Sequence, residues 1–173
     1  MSKKSGVPFG AQFSPNQVSL PRLLEIIRDH AGDRRRITEA VRDEFFATQA
    51  EDQRWKLAGN TVLALRAYGL LGEDSATPTA LAGELLTLMT TPGALYERFA
   101  KHILVNLRGI VFVETLATMQ AAGEEINLDK LSKRLEQRGL HVPRGVVHLS
   151  SLRLWLAQAG IFNASARGGH RLY

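Results

Sequence analysis

The chain has 173 residues, a length that fits one ordinary domain or two small ones. Hydrophobic residues make up 45% and charged residues 23% of it, which is the usual range of globular proteins and argues against global disorder. The sequence contains no cysteine, which excludes disulfides and thiolate metal ligands, and it has no apolar run long enough to cross a bilayer. These features predict a cytoplasmic protein that does not contact a membrane.

The formal net charge is +5, and the positive excess lies near the C-terminus. Residues 133–173 contain seven Lys or Arg and a single acidic residue, Glu136. A basic region of this kind favours a polyanionic partner, because phosphates are attracted to clustered cations. The alternative is an ordinary solvated basic surface.

The first half of the chain predicts an unstructured start followed by three helices. Residues 1–18 contain glycine and proline without periodicity, which is typical of a flexible arm or linker. Ser19 is a suitable cap for a first helix that ends near residue 30. Thr38 is a suitable cap for the second helix, and a third spans about residues 52–68, with Trp55 on its buried side.

The segment after Gly69 predicts a small hairpin and a closing helix. Two short strands would flank a turn at Gly72–Ser75, and Thr79 would cap a helix that follows them. This hairpin has the position of a wing after the third helix. The first domain would then span residues 19–92.

The second half predicts a similar order of elements. A connecting helix over about residues 94–107 precedes a helix over 110–122, and Asn127 caps the next one. A further helix covers about residues 144–159. Residues 161–163 and 171–173 then form a second candidate hairpin.

The two halves repeat each other at a nearly constant spacing. Ile37 and Ile126 each precede a helix-capping side chain and a helix, at an offset of 89, while Gly69 and Gly160 each end a long helix, at an offset of 91. An internal repeat of this kind predicts two related domains. The predicted fold is mostly α with small β wings, arranged as an arm at 1–18 and two tandem winged helix-turn-helix domains at 19–92 and 93–173.

Two stretches carry a resemblance to a known class of proteins. Residues 68–86, with Tyr68-Gly69-Leu70-Leu71 followed by Thr77-Pro78-Thr79, resemble the passage from wing to helix in bacterial winged-helix proteins. Residues 148–161 look like a second such unit. Together they are similar to DNA-binding modules of prokaryotic restriction and phage-defence systems. The resemblance implies binding of double-stranded DNA, and a nuclease or another protein subunit as a further partner.

Candidate DNA contacts in the second domain lie on its third helix and its wing. Arginine reads guanine, and basic or polar side chains on the outer face of a recognition helix reach base edges and phosphates. The candidates on the helix are Arg144, His148, Ser151 and Arg153, and those on the wing are Arg167, His170 and Arg171. The alternatives are an ordinary polar helix face and a solvated hairpin tip.

The first domain offers weaker candidates. They are Arg34, Arg35 and Arg36 in the second turn of the domain, and Arg54, Lys56 and Asn60 on its third helix. Its wing turn carries Glu73 and Asp74, which would face phosphates unfavourably. We therefore expect the second domain to make the main DNA contact.

No catalytic or metal-binding pattern is recognisable in the sequence, and no cofactor is expected. Two functional hypotheses follow. The first is a non-enzymatic protein that binds double-stranded DNA and either brings a restriction or defence enzyme to DNA or acts as a transcription regulator. The alternative is a protein–protein interaction module of a defence or regulatory complex.

Overall fold

The computed structural model describes residues 5–143, 147–164 and 170–172, and within it the chain divides into two compact units. The N-terminal unit is Phe9–Leu95, and the C-terminal unit is Met1–Pro8 together with Tyr96–Tyr173. The sequence placed the division between the domains after residue 92 and assigned residues 1–18 to an arm.

Both units are built mainly of helices. In the part of the chain that the structure describes, the eight helices are α1 Leu20–Asp29, α2 Arg34–Phe45, α3 Glu51–Ala67, α4 Ala80–Thr87, α5 Pro92–Asn106, α6 Gly109–Ala121, α7 Leu128–Gln137 and α8 Val147–Gln158. No single helix among the described residues is long and apolar enough to cross a membrane, although α5 and α6, bent by 87° at their break, reach that length and composition together.

The predicted fold class is wrong in its β wings, because the fold is helical. Where the first wing was expected, a single isolated bridge joins Leu71 and Pro78. The described β structure of the C-terminal unit is limited to three residue pairs between β1, Phe162–Ala164, and β2, His170–Leu172. The first expected wing is therefore not formed, and β structure contributes little to the fold of the described residues.

Three predicted helix caps are confirmed. The hydroxyl of Ser19 accepts a hydrogen bond from the Arg22 amide at 3.4 Å, and that of Thr79 accepts one from the Ala82 amide at 3.2 Å. Asn127 Oδ1 accepts from the amide of residue 130 at 2.9 Å. Each bond satisfies a backbone donor that the first helical turn leaves open.

The predicted start of α2 is wrong. The helix begins at Arg34 and not after Thr38, because Asp33 accepts a hydrogen bond from the Arg36 amide at 3.0 Å and acts as the cap. The hydroxyl of Thr38 donates instead to the carbonyl of Arg34 at 2.8 Å inside the helix. Ile37, expected to precede the helix in extended form, is fully buried on its inner face.

Residues 9–18 are packed, so the prediction of a free arm is wrong for them. Phe13 is completely buried, and its ring centroid lies 4.8 Å from that of Tyr68. Val18 is 4% exposed, and the hydroxyl of Thr61 donates to the carbonyl of Gln12 at 3.1 Å. This segment therefore covers the inner face of α3.

The backbone supports the internal repeat. Gly32 and Gly123 follow α1 and α6 with φ of 85° and 66°, and Gly69 and Gly160 follow α3 and α8 with φ of 75° and 76°. Both pairs are separated by 91 residues. Left-handed glycine is the common way to end a helix, so the two units turn the chain at equivalent places.

The C-terminal unit has an aromatic core. Trp155 in α8 is 1% exposed, and its ring packs edge-on against Phe99 at 5.5 Å and is stacked with Tyr96 at 6.5 Å. Phe112 of α6 packs against Phe162 of β1 at 5.9 Å. The prediction that Trp155 is a core residue is confirmed.

Candidate nucleic-acid interface

The two units have opposite net charges. The C-terminal unit contains thirteen Lys or Arg and six Asp or Glu, which gives +7. The N-terminal unit contains nine Lys or Arg and eleven Asp or Glu, which gives −2, and the two values add to the net +5 of the chain. On net charge, a polyanion is therefore attracted to the C-terminal unit more than to the N-terminal unit.

Ion pairs neutralise part of the basic surface of α7. Arg134 contacts Glu124 at 2.5 Å, and Lys130 contacts Glu125 at 2.6 Å, which lowers the pKa of that carboxyl. Lys133 is exposed and makes no ion pair with any described residue. Of these cations, Lys133 is the one best able to contact a phosphate.

Arg138, the last cation of this surface, holds α7 to α6. Its guanidinium pairs with Glu114 at 2.8 Å and donates to the buried hydroxyl of Thr115 at 2.9 Å. It also donates to the carbonyl of Val111 at 3.3 Å. This arginine has a structural role in joining α7 to α6, although its side chain is 42% exposed.

The outer face predicted for α8 is only partly exposed. Ser151 is 3% exposed, so its assignment to the outer face is wrong. His148 is half-buried, and burial lowers the pKa of its imidazole, which favours the neutral ring at neutral pH. Arg153 is half-buried too, and burial lowers the pKa of its guanidinium. Val147, at 46% exposed, is the open residue in the first turn.

Several predicted contacts lie outside the described residues. Arg144 and Arg167 fall in the undescribed stretches 144–146 and 165–169. His170 and Arg171 belong to β2 by their backbone, but their side chains are outside what the structure describes. For these four residues the DNA contact stays a prediction.

The three consecutive arginines proposed as DNA contacts, Arg34, Arg35 and Arg36, lie in the first turn of α2. All three are exposed. Arg35 pairs with Glu39 at 2.9 Å and Arg36 with Asp33 at 3.5 Å, whereas Arg34 has no ion pair with a described residue. Exposed pairs of this kind contribute little to stability, so these side chains can be redirected at small cost.

The third helix of the N-terminal unit begins with acidic residues. Glu51 and Asp52 are exposed in the first turn of α3, and Glu51 holds Arg54 at 3.1 Å. Lys56 is exposed and Asn60 is half-buried further along the helix. Because the first turn of a recognition helix is the part that enters the major groove, the two carboxylates oppose an approach of α3 to DNA.

Trp55 is exposed, which the sequence did not predict. Its side chain is 40% exposed, and the guanidinium of Arg42 lies over the ring at 4.4 Å from the centroid. Arg42 in turn pairs with Asp43 at 2.6 Å. The N-terminal unit therefore presents an aromatic ring among charged residues of both signs.

The acidic turn of the N-terminal unit has a structural role. Asp74 accepts hydrogen bonds from the hydroxyl of Thr77 at 2.5 Å, and from the amides of Thr77 and Ala76 at 2.9 Å each. The bonds from Thr77, followed by that from Ala76, lower the pKa of Asp74 to about 2. The carboxylate thus holds the loop between α3 and α4.

Among the residues that the structure describes, no group of three or more His, Asp or Glu could hold a metal ion. Comparison of the chain with protein-family models, with curated proteins and with solved structures finds no match.

Proposed function

We propose that this chain is a non-enzymatic protein that binds double-stranded DNA mainly through its C-terminal unit. The unequal charge of the two units carries the proposal, because +7 lies on one unit and −2 on the other. A helical unit with this excess matches the electrostatic footprint of a nucleic-acid binder. By analogy with the DNA-binding modules of restriction and phage-defence systems that its sequence resembles, the protein would bring a defence enzyme to DNA or regulate transcription.

In this proposal, α8 is the helix that approaches the DNA. It follows α7 in the chain, beginning at Val147, and no acidic residue lies in its first turn. Arg144 at its start and Arg167 and Arg171 near the C-terminus would contact phosphates, and His148 would approach the groove as a neutral ring. The buried Ser151 is not part of the proposed surface. The cytoplasmic location predicted from the cysteine-free sequence belongs to the same proposal.

Salt dependence of binding tests the proposal. If about five of the surplus charges contact phosphates, affinity for a random duplex of about 30 base pairs should fall about 500-fold between about 50 and 200 mM salt. The double variant Arg144→Ala/Arg167→Ala should bind more weakly and reduce the slope of log affinity against log salt by about two. The absence of binding at low salt would refute the proposal.

A matched control separates the two units. The double variant Arg35→Ala/Arg36→Ala removes the same charge from the N-terminal unit, at positions that are exposed in α2. We expect this control to bind as the wild type does. If this control loses as much affinity for DNA as the Arg144/Arg167 variant, the assignment of the DNA contact to the C-terminal unit is refuted.

A second candidate function is supported by Trp55. Exposed tryptophan is enriched at the centres of protein interfaces, and this unit carries a net negative charge that disfavours DNA. The N-terminal unit would then bind a protein partner, in line with a multi-component complex. Such an interface has an apolar centre, so a partner should be retained at high salt by the wild type and lost from Trp55→Ala. Unchanged retention by that variant would refute the assignment.

A further inference from the structure

The N-terminal strap, residues 5–8, packs against the turn that precedes α8. The amide of Gly6 donates a hydrogen bond to the carbonyl of His141 at 2.8 Å, and Val7 is 4% exposed. Ser5 shapes the strap, because its hydroxyl donates to the carbonyl of Val7 at 2.6 Å and accepts from the Val7 amide at 3.2 Å. The strap and the turn both belong to the C-terminal unit.

Only glycine fits the point of contact. A Cβ at Gly6 would lie 2.8 Å from Leu140 Cδ1 and 3.0 Å from the backbone nitrogen of His141. The leucine side chain can move, but the backbone atom cannot move without displacing the turn. The close approach therefore fixes the position of the strap against residues 140 and 141.

The turn itself is held from α7 on its other side. Gly139, at φ of 77°, ends α7, and the amide of Leu140 donates to the carbonyl of Leu135 at 2.9 Å. Leu140 and Val142 are buried, at 1% and 5% exposed. The strap supplies the remaining contact to the His141 carbonyl, which lies between these two buried residues.

The equivalent turn of the N-terminal unit is closed differently. Residues 46–50 join α2 to α3, and there Arg54 of α3 donates to the carbonyl of Gln49 at 2.8 Å. That turn is thus tied to the helix that follows it. In the C-terminal unit, a carbonyl of the turn is bound by a segment more than a hundred residues away in sequence.

We infer that the strap is a positioning element for α8 and that Gly6 is its key residue. Docking of the strap holds residues 140 and 141, which lie between α7 and α8 in the chain, and thereby restrains the segment that leads into α8. The role in DNA binding rests on the proposed function: the docked strap presents α8 in the conformation that binds, and release of the strap lowers the fraction of binding-competent protein.

The test uses the full chain with Gly6→Val, and with Val7→Thr as a milder variant that places a hydroxyl in a buried apolar position. Gly83→Val is the control, because a Cβ at this exposed helical glycine meets nothing within 4 Å. Hydrogen exchange is measured peptide by peptide without DNA. Affinity for the random duplex is measured separately at low salt.

The expected result is faster exchange at residues 139–142 and at the start of α8 in both strap variants, with unchanged exchange in α1–α4. Affinity for the duplex should fall about tenfold in Gly6→Val, since a tenfold change corresponds to about 1.4 kcal/mol, and the salt slope should stay the same because no phosphate contact is removed. The control should match the wild type in both measurements.

Two results would overturn the inference. Unchanged exchange at residues 139–142 in both strap variants would show that the strap does not hold the turn. Faster exchange there with undiminished affinity would show that the turn does not position α8 for binding. If the wild type fails to bind DNA, the proposed function fails, while the exchange measurement still decides whether the strap holds the turn.

Discussion

Removal of the Phe13 side chain should destabilise the N-terminal unit severely. Phe13 is completely buried against Tyr68, although it lies in a stretch whose glycines and prolines predict a flexible arm. Truncation of a buried phenylalanine to alanine costs about 3 to 5 kcal/mol, because apolar contacts are lost and a cavity remains. A residue in a free arm would cost almost nothing.

The size of the unit converts this energy into a melting temperature. The unit Phe9–Leu95 has 87 residues, counted inclusively. For a domain of this size, each kcal/mol shifts Tm by about 4 to 8 °C, so a loss of about 4 kcal/mol lowers Tm by about 15 to 30 °C. This is a large part of the total stability of a typical small domain, about 5 to 15 kcal/mol.

Native-state hydrogen exchange of α1 and α3 measures the loss in the N-terminal unit separately from the other unit. Phe45→Ala is the control: Phe45 is a half-buried phenylalanine of the same unit, and its truncation should cost about 1 kcal/mol. If Phe13→Ala costs no more than this control, then the packing of residues 9–18 described above is refuted.

Three further perturbations test particular contacts. Arg138→Ala should lower the stability of the C-terminal unit in urea by about 1 kcal/mol, because the buried hydroxyl of Thr115 loses the donor from Arg138 and keeps only its own bond to the Val111 carbonyl; a loss within error would contradict the structural role of this arginine. Because folding lowers the pKa of Asp74 to about 2, its contribution is present above the unfolded pKa and is lost as the pH falls from about 4 to 2. An acid titration of Asp74→Ala should therefore show a smaller drop in stability over that range, and an identical titration would count against the bonded carboxylate. Gly69→Ala and Gly160→Ala should each cost about 1 kcal/mol or more in urea unfolding, since both glycines are left-handed, and a difference of several-fold between the two would contradict the equivalence of the helix ends.

The order of the helices could be read from the sequence because their signals are local. Ser19, Thr79 and Asn127 each bond an amide three residues ahead, and this contact needs no other part of the chain. The same signal misled at Thr38, since Asp33 caps α2 earlier and arginine is a good helix former. Which of two capping residues acts depends on where the helix can first pack.

The absence of the first wing could not be predicted, because a local structure around Asp74 forms in its place. The carboxylate of Asp74 takes up the amides of Ala76 and Thr77, which a strand would have used in a ladder. Only Leu71 and Pro78 then meet as an isolated bridge. An alternation of apolar residues around a glycine turn does not reveal such competition.

The surface features needed tertiary information. Helical periodicity places Trp55 on the inner face of α3, but it cannot show how far α2 extends to cover the end of that face, and Arg42 covers the ring only in part. The docked strap was hidden for a similar reason. Val7 and Phe13 are apolar residues within a supposed linker, and this is the signal in the sequence that argued against a free arm.

The two units share left-handed glycines, whose replacement strains the backbone, and differ in exposed charges, whose replacement changes stability little. Gly32 with Gly123, and Gly69 with Gly160, occupy left-handed positions where any other residue is strained, so both units end their helices alike. Exposed charges contribute little to stability, and here the net charges of the units differ, −2 for the N-terminal unit and +7 for the C-terminal unit. The difference between the units should then appear in what each one binds. It should also appear in how the turn after α2 and the turn after α7 are held, by Arg54 in the N-terminal unit and by the strap in the C-terminal unit.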